Sequence, residues 1–338
     1  MNILVTGGAG YVGSVLIPHL VKEGHNIKCL DRFFFGNEFL SQKQFHGKVN
    51  LIQDDIRWFN PSILDDVDVV FDLAALSNDP VGELDPSKTF EINHLGRSRV
   101  AKLSKEHGIK QYVLASSASV YGQQKEIVNE DSLPNPITSY SKANRNAEID
   151  ALSLNDDNFT VTVLRFSSIY GVSPRMRFDL AVNSMALDLF KSGKIIVMGQ
   201  GNKRPFLHIH DAVRAYQIVL KMPKQIVSGE IFNVGSDDQN YEIGNLAKEV
   251  ANALDKEQAL ELRDTNDHRS YVASFKKIKE KLGFIPKFNV QQGAIEIYQA
   301  LENGEIVDSV KTRTVEWYKQ LHLNPDLAKK VSISGKLL

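Results

Sequence analysis

Thr6-Gly7-Gly8-Ala9-Gly10-Tyr11-Val12-Gly13 follows the apolar run Asn2–Val5 and leads into a stretch of helical period, Tyr11–Glu23. That context, strand before and helix after, turns an otherwise weak glycine pattern into a signal. Gly7 and Gly8 permit a tight turn, Gly10 lets a phosphate approach the main chain, and Gly13 allows helix and strand to touch. The first N–H groups of the helix, from Tyr11 and Val12 onward, have no acceptor within it and face an anion lying across the bend. The segment reads as the cradle of a dinucleotide's pyrophosphate.

Further strands are expected at Ile27–Leu30, Val49–Ile52, Val67–Leu73, Gln111–Ser116 and Thr160–Arg165, with crossover helices such as Glu91–His107 between them. This alternation, with near-continuous apolar strands, predicts an α/β fold: a doubly wound parallel Rossmann sheet covered on both faces. Pro18 lies inside the first helical stretch and argues against its straightness. In the second half, Leu246–Leu254 has helical spacing, and Ile231–Val234 reads as a strand able to rejoin the main sheet. Glu280–Phe284 and Gly293–Leu301 look like parts of a smaller, mixed α/β substrate domain. Residues 1–170 are assigned to the sheet domain, with returning segments near 205–235, and 171–325 mainly to the smaller, interwoven one. The tail 326–338 is expected to fray.

The 338 residues carry 40 Lys+Arg against 41 Asp+Glu, a formal charge of −1. Neither nucleic acid nor membrane is an expected partner, because no general attraction to polyanions exists and no apolar run approaches the roughly 20 residues of a spanning helix. Met1–Val5 lacks the basic and long apolar regions of a secretory signal, so a cytoplasmic location is expected. Cys29, the single cysteine, forbids an internal disulfide and a multi-thiolate zinc site. His208 and His210 share a strand face, but no ligand cluster completes a metal site; structural hydrogen bonding is the expectation. No Gly-x-Ser-x-Gly elbow supports a hydrolase.

Asp31 ends the second expected strand, 18 residues after Gly13. A carboxylate there accepts from both adenosine ribose hydroxyls and repels a 2′-phosphate, which favours NAD over NADP. Arg32 either cradles a phosphate, points to solvent or stacks on adenine. Asp55-Ile56 either bracket adenine or cap a helix. Phe33-Phe34-Phe35 is read as an apolar plug beside the adenine or a partner contact.

Two further segments, Leu114-Ala115-Ser116-Ser117-Ala118-Ser119-Val120-Tyr121-Gly122 and Tyr140-Ser141-Lys142-Ala143-Asn144, stand in order after the glycine motif. Leu164–Gly171, Gly199–Phe206 and Phe232-Asn233-Val234-Gly235 complete the series. Together they resemble the extended short-chain dehydrogenase/reductases, in the nucleotide-sugar epimerase and dehydratase branch, over nearly the whole chain. The resemblance implies Tyr140 as the base that takes a proton from a sugar hydroxyl, with Ser117 bonding the same oxygen. It also implies NAD contacts at Leu73, Ala74, Ala75, Asn93 and Ser116, and a homodimer built from two helices per subunit, here Glu91–His107 and the helix after Tyr140.

Where the family has lysine, four residues after the tyrosine, this chain has Asn144. Asn144 shares a helix face with Tyr140 and is expected to bond the nicotinamide ribose, but it supplies no charge. At roughly 100° per residue, Lys142 projects about 200° away and Arg145 about 140°. Weakened tyrosinate formation is therefore expected. Family dehydratases carry Asp-Glu after the Ser/Thr position, and decarboxylases a glutamate two residues after it; Ala118-Ser119 argues against both. The expectation is a UDP-glucose 4-epimerase-like enzyme acting on a nucleotide-diphosphate hexose, with a 4-ketoreductase or a non-catalytic NAD or sugar-nucleotide binder as alternatives.

For that substrate the resemblance implies Arg204 as a diphosphate ligand, its guanidinium fork suiting two phosphates. Ser168 replaces an asparagine common in hexose epimerases. Arg177 and Asn183 are expected phosphate or sugar contacts. Asp267 and Arg269 either reach the nucleotide or form structural ion pairs, and Ser77 and Asn78 either face the sugar or cap a loop.

Overall fold

The computed structural model describes residues 1–256, 260–263 and 269–337. Seven parallel strands form the main sheet: β1 (Asn2–Thr6), β2 (Asn26–Asp31), β3 (Val49–Gln53), β4 (Val69–Asp72), β5 (Gln111–Ser117), β6 (Thr160–Phe166) and β7 (Glu230–Val234). Their spatial order is β3-β2-β1-β4-β5-β6-β7. Pairing registers such as Ile3 with Ile27 and with Val69 fix β1 at the centre. Strand order reverses between β1 and β4, which opens a crevice at their carboxyl ends. β7 pairs with β6, so the segment around Ile231–Val234 does return to the sheet.

Strand alternation divides the sheet's side chains between two cores. Ile3, Val5, Val69, Phe71 and Val113 belong to one, which continues into the second lobe. Leu4, Val70, Tyr112, Leu114, Val161 and Val163 belong to the other, which Trp317 and Tyr318 close from the C-terminal side. Each fully buried large apolar side chain contributes about 1.5–3 kcal/mol, and both faces of β4 and β6 are buried along their lengths.

Three helices place the site. α1 (Gly13–Lys22) starts at the glycine bend and contains Pro18 without ending there. α2 (Arg97–Glu106) continues from a wide π-helical turn, Glu91–Gly96. α3 (Ser139–Ser153) begins in a capping box: Thr138 Oγ1 accepts from the Ser141 N–H, and Ser141 Oγ accepts from the Thr138 N–H.

The second lobe packs helices Ala181–Ser192, Ile243–Ala253 and Val290–Glu302 beside short sheets. One of these joins Lys203–His208 antiparallel to Asn240–Glu242 and parallel to Ser168–Tyr170. Another pairs Gln123–Val128, from the first half of the chain, with Ser270–Ala273, so the lobes are laced together. The tail does not trail off. Residues Pro325–Val331 form a helix, and the Arg32 guanidinium donates to the carbonyls of Val331, Lys336 and Leu337 at 3.2, 2.7 and 2.9 Å.

Candidate active site

A cavity of about 950 Å³ lies over the crevice, lined from Asp31 and Arg32 at one end to Arg204 and Arg269 at the other. That is near the upper limit for a single drug-sized ligand, and its length suits a cofactor and a second molecule end to end. The glycine bend forms one wall. Gly7 has φ +66°, and a Cβ there would stand 2.7 Å from the Ala74 Cα. A Cβ on Gly13 would lie 2.6 Å from the Gly8 main chain, whereas on Gly10 it would meet only the Gly7 carbonyl at 3.0 Å. Gly7, Gly10, Tyr11, Val12 and Gly13 line the cavity, together with Leu73, Ala74 and Ala75 opposite. The donors are thus main-chain N–H groups at a helix start, which suits a pyrophosphate.

At the end of the cavity nearest β2, Asp31 accepts from the Ala9 and Phe33 N–H groups at 2.9 and 2.8 Å. Burial pushes its carboxyl above the usual range, opposed by those two bonds. Arg32 is 8% exposed, and besides the tail carbonyls it donates to Asp55 Oδ2 at 2.6 Å. Asp55 also receives three bonds from Arg57, through its N–H, Nε and Nη2. Burial works against the Asp55 carboxylate, and the Arg57 and Arg32 bonds outweigh it, holding its pKa low. Both acceptor oxygens are engaged, so Asp55 is a clamp on Arg32 and Arg57, while Ile56 beside it lines the cavity. Phe34 and Phe35 line it too, edge-on to Tyr318.

Arg175, which the sequence reading missed, faces the same region. Its guanidinium lies 3.6 Å from the Phe35 ring centroid and donates to Thr314 Oγ1, and no carboxylate among the described residues forms an ion pair with it. Burial, then Arg177, pulls its pKa down to about 9. An uncompensated buried cation beside the glycine bend fits a phosphate ligand.

On the floor, Ser116, Ser117, Ser119, Tyr140 and Asn144 meet from β5, the turn after it and α3. Ser117 Oγ accepts from the Ser119 N–H at 3.1 Å, which leaves its own hydrogen free to donate. Among the described residues no group hydrogen-bonds the Tyr140 hydroxyl. Ser116 donates to Glu148 at 2.6 Å, and Glu148 is gripped by Arg165 through two bonds of 2.9 and 2.8 Å, so that serine is part of a buried support. Asn144 does not sit as a free ribose ligand. Its Nδ2 donates to the Tyr140 carbonyl at 2.9 Å and its Oδ1 accepts from Arg97 at 2.8 Å, leaving one amide hydrogen for a cofactor. Arg97, a cavity-lining cation from α2, is the second residue the sequence reading missed.

The far wall is an ion-paired network. Arg177 grips Asp179 through two bonds and donates to Ser77 Oγ, while Asn78 donates to Asp179. Burial opposes the Asp179 carboxylate, but Arg177 prevails and takes its pKa down to about 2. Ser77, Asn78, Ser168, Arg177, Arg204 and Arg269 all line the cavity. Arg269 pairs with Asp79 across the lobes, and the Arg204 guanidinium lies 5.4 Å from the Tyr271 ring. Two expected contacts lie behind the lining. Asn183 is fully buried, accepting from the Gly171 N–H and donating to Tyr11 Oη and the Arg177 carbonyl. Asn93 is likewise buried and clamps the main chain of Leu76 from both sides. Both serve loop backbone that would otherwise be unpaired. Asp267 lies outside the described residues. His208 bonds Glu296 at 2.7 Å and stacks on Phe288, and no cluster of three metal-ligating side chains occurs among the described residues.

Known proteins resemble this chain in sequence and in fold. Residues 3–235 match the NAD dependent epimerase/dehydratase family. A UDP-glucose 4-epimerase of Lactobacillus helveticus is 29% identical over 310 residues, covering 85% of this chain and 92% of that protein. A UDP-glucuronic acid decarboxylase of Arabidopsis thaliana is 28% identical over 309 residues, 87% of this chain and 67% of that protein. The crystal structure of UDP-glucuronic acid 4-epimerase from Bacillus cereus, in complex with UDP-glucuronic acid and NAD, superposes with a TM-score of 0.80 at 23% identity, covering 90% of this chain and 99% of that one. That last likeness is one of fold.

Proposed function

This chain belongs to the NAD dependent epimerase/dehydratase family, and on that premise we propose that it is a nucleotide-sugar 4-epimerase. The observation that carries the reading is the convergence of Tyr140 and Ser117 with the glycine-bend cradle in one cavity whose carboxylates are all engaged. Near the floor, Asp79 is held by Arg269 and Thr138, Asp179 by Arg177 and Asn78, and Glu83 accepts from the Ser139 N–H. Ala118-Ser119 follow Ser117, so neither position carries an acid to eliminate water or steer a decarboxylation. Proton transfer by one phenol is what these residues support.

NAD, when bound, supplies the acceptor and then the donor of the C4 hydride. Asp31 accepts the adenosine ribose hydroxyls, the helix-start N–H groups and Arg175 meet the pyrophosphate, and Asn144 offers its remaining amide hydrogen to the second ribose. Tyr140 takes the proton from the sugar C4 hydroxyl, with the Ser117 hydroxyl donating to the same oxygen. After the keto-sugar turns over, Tyr140 returns the proton and the opposite C4 configuration results. Arg204 and Arg269 hold the diphosphate. UDP is favoured as the nucleotide by the relatives' substrates. Leu95 and Ile149, exposed on the outer faces of the Glu91–Gly96 turn and α3, support a homodimer through these helices.

The test is to identify by mass spectrometry the small molecules released on denaturing the purified protein, and to incubate the native protein with a UDP-hexose and UDP-hexuronate panel. NAD bound near one per chain and interconversion of C4 epimers without added cofactor are expected, from a species scattering light as two chains. Absence of both sinks the reading. Consumption of added reduced cofactor marks a ketoreductase, and retained ligand without turnover marks a binding protein.

A further inference from the structure

A phenol ordinarily titrates near pH 10, and acting as a base at neutral pH requires a positive charge held close to it. α3 brings none to the floor, because position 144 is an asparagine. The neighbouring helix does. Arg97 is 1% exposed, lines the cavity, and aims Nη1 at Asn144 Oδ1, one helical turn from Tyr140. Its Nη2 is fixed by the carbonyls of Asp72 and Ala115 at 3.0 and 2.5 Å, at the carboxyl ends of β4 and β5. Nε makes no hydrogen bond; the nearest carboxylate oxygen, Asp72 Oδ2, is 3.5 Å away. Asp72 itself accepts from the Thr6 and Tyr112 hydroxyls. The guanidinium is therefore locked in place by neutral carbonyls and an amide, and only loosely matched by a carboxylate.

We propose that Arg97 is a positioning residue of this site, supplying from α2, through Asn144, the positive charge that favours the phenolate form of Tyr140. The inference rests on the reading of Tyr140 as the base. Other ionised groups around Tyr140 are already paired: Asp79 with Arg269, Arg177 with Asp179, Glu148 with Arg165 and Arg145, and His94 with Asp150 farther along α3. Glu83, beside Gly82 on which the Tyr140 Cβ packs, bonds the Ser139 N–H. The nearby phenols Tyr112, Tyr216 and Tyr271 are all pushed up by burial and stay neutral. Removal of Arg97 thus takes away the buried cation held against Asn144, one helical turn from Tyr140.

The experiment follows tyrosinate ultraviolet absorbance against pH, with and without NAD and without any sugar, taking the difference from Tyr140→Phe as the Tyr140 signal. Arg97→Gln should raise the Tyr140 midpoint. Adding Asn144→Lys to Arg97→Gln should restore it. Should Arg97→Gln not fold, Arg97→Gln with Asp72→Asn removes both buried charges and should show a smaller rise, because the carboxylate opposing Arg97 goes with it. An unmoved midpoint overturns the proposal, as does a rise that Asn144→Lys leaves in place, which would mark disruption and not lost charge. Because no sugar is present, a failure of the epimerase reading would show in the substrate panel and leave this titration intact.

Discussion

The two ends of the cavity are built from different materials. Around Gly7–Gly13 the lining is largely main chain, and few side chains stand over it, among them Asp31, bonded to Ala9 and Phe33, and Arg175. At the floor every useful atom is a side-chain atom, and β5, α2 and α3 each contribute a different one. A main-chain site is sensitive to added bulk and tolerant of chemistry. A side-chain site is the reverse: deletion of one oxygen should matter more there than any change of shape.

Tyr140→Phe is the sharpest way to break that contrast. Loss of one hydroxyl should lower turnover by about 10²–10⁴-fold at neutral pH, the range for a lost general base, while bound NAD stays at the level of the unaltered protein. Steady-state rates together with cofactor stoichiometry read both numbers. Retained turnover would mean that the floor does not depend on its phenol, and the distinction between the two ends would fall.

The glycine bend offers the complementary pair. Gly7→Ala forces a left-handed φ on a residue with a side chain and drives its Cβ into the Ala74 main chain, so a loss of about 2–3 kcal/mol in urea unfolding is expected. Gly10→Ala meets only one carbonyl at 3.0 Å, so stability should hold. Its methyl nevertheless stands where the proposed pyrophosphate would approach, and NAD affinity should fall about tenfold, or 1.4 kcal/mol. Equal stability losses in the two variants would show that Gly10 is a folding glycine and not a binding one.

The same division explains what the sequence reveals. The parallel strands and the glycine turn between the first of them and its helix are legible because each depends on neighbours a few residues away or on strand periodicity. Asn93 and Asn183 mislead because a polar residue in a site segment reads as a ligand, whereas buried loop carbonyls and N–H groups claim both amides first. Asp55 is claimed by Arg57, only two residues on in the sequence. Arg97 carries a fainter signal. It sits on the stripe Ile92, Asn93, Gly96, Val100, Ala101 and Ser104, all buried, and a cation on a buried stripe asks for a partner. The identity of that partner, Asn144, depends on how α2 meets α3 and is not written in either segment.

The C-terminal tail is where the two kinds of construction meet, since side chains there guard a main-chain site. Arg32, at the end of β2, spends Nη2 on three tail carbonyls, and Lys336 lies over the Trp58 ring at 4.9 Å. The helix Pro325–Val331 has no fully buried residue, so ending the chain at Asn324 removes little core. It should cost the adenosine end a hydrogen-bonded cover worth about 1 kcal/mol, seen as a roughly fivefold faster release of NAD in stopped-flow fluorescence. A released Arg32 is also a cation beside Asp31 with donors to offer a 2′-phosphate, so the preference for NAD over NADP should narrow by a similar factor. Release and preference both unchanged would mean that the bend and Asp31 hold the adenosine end without help, and the boundary between the two modes of construction would lie at the floor alone.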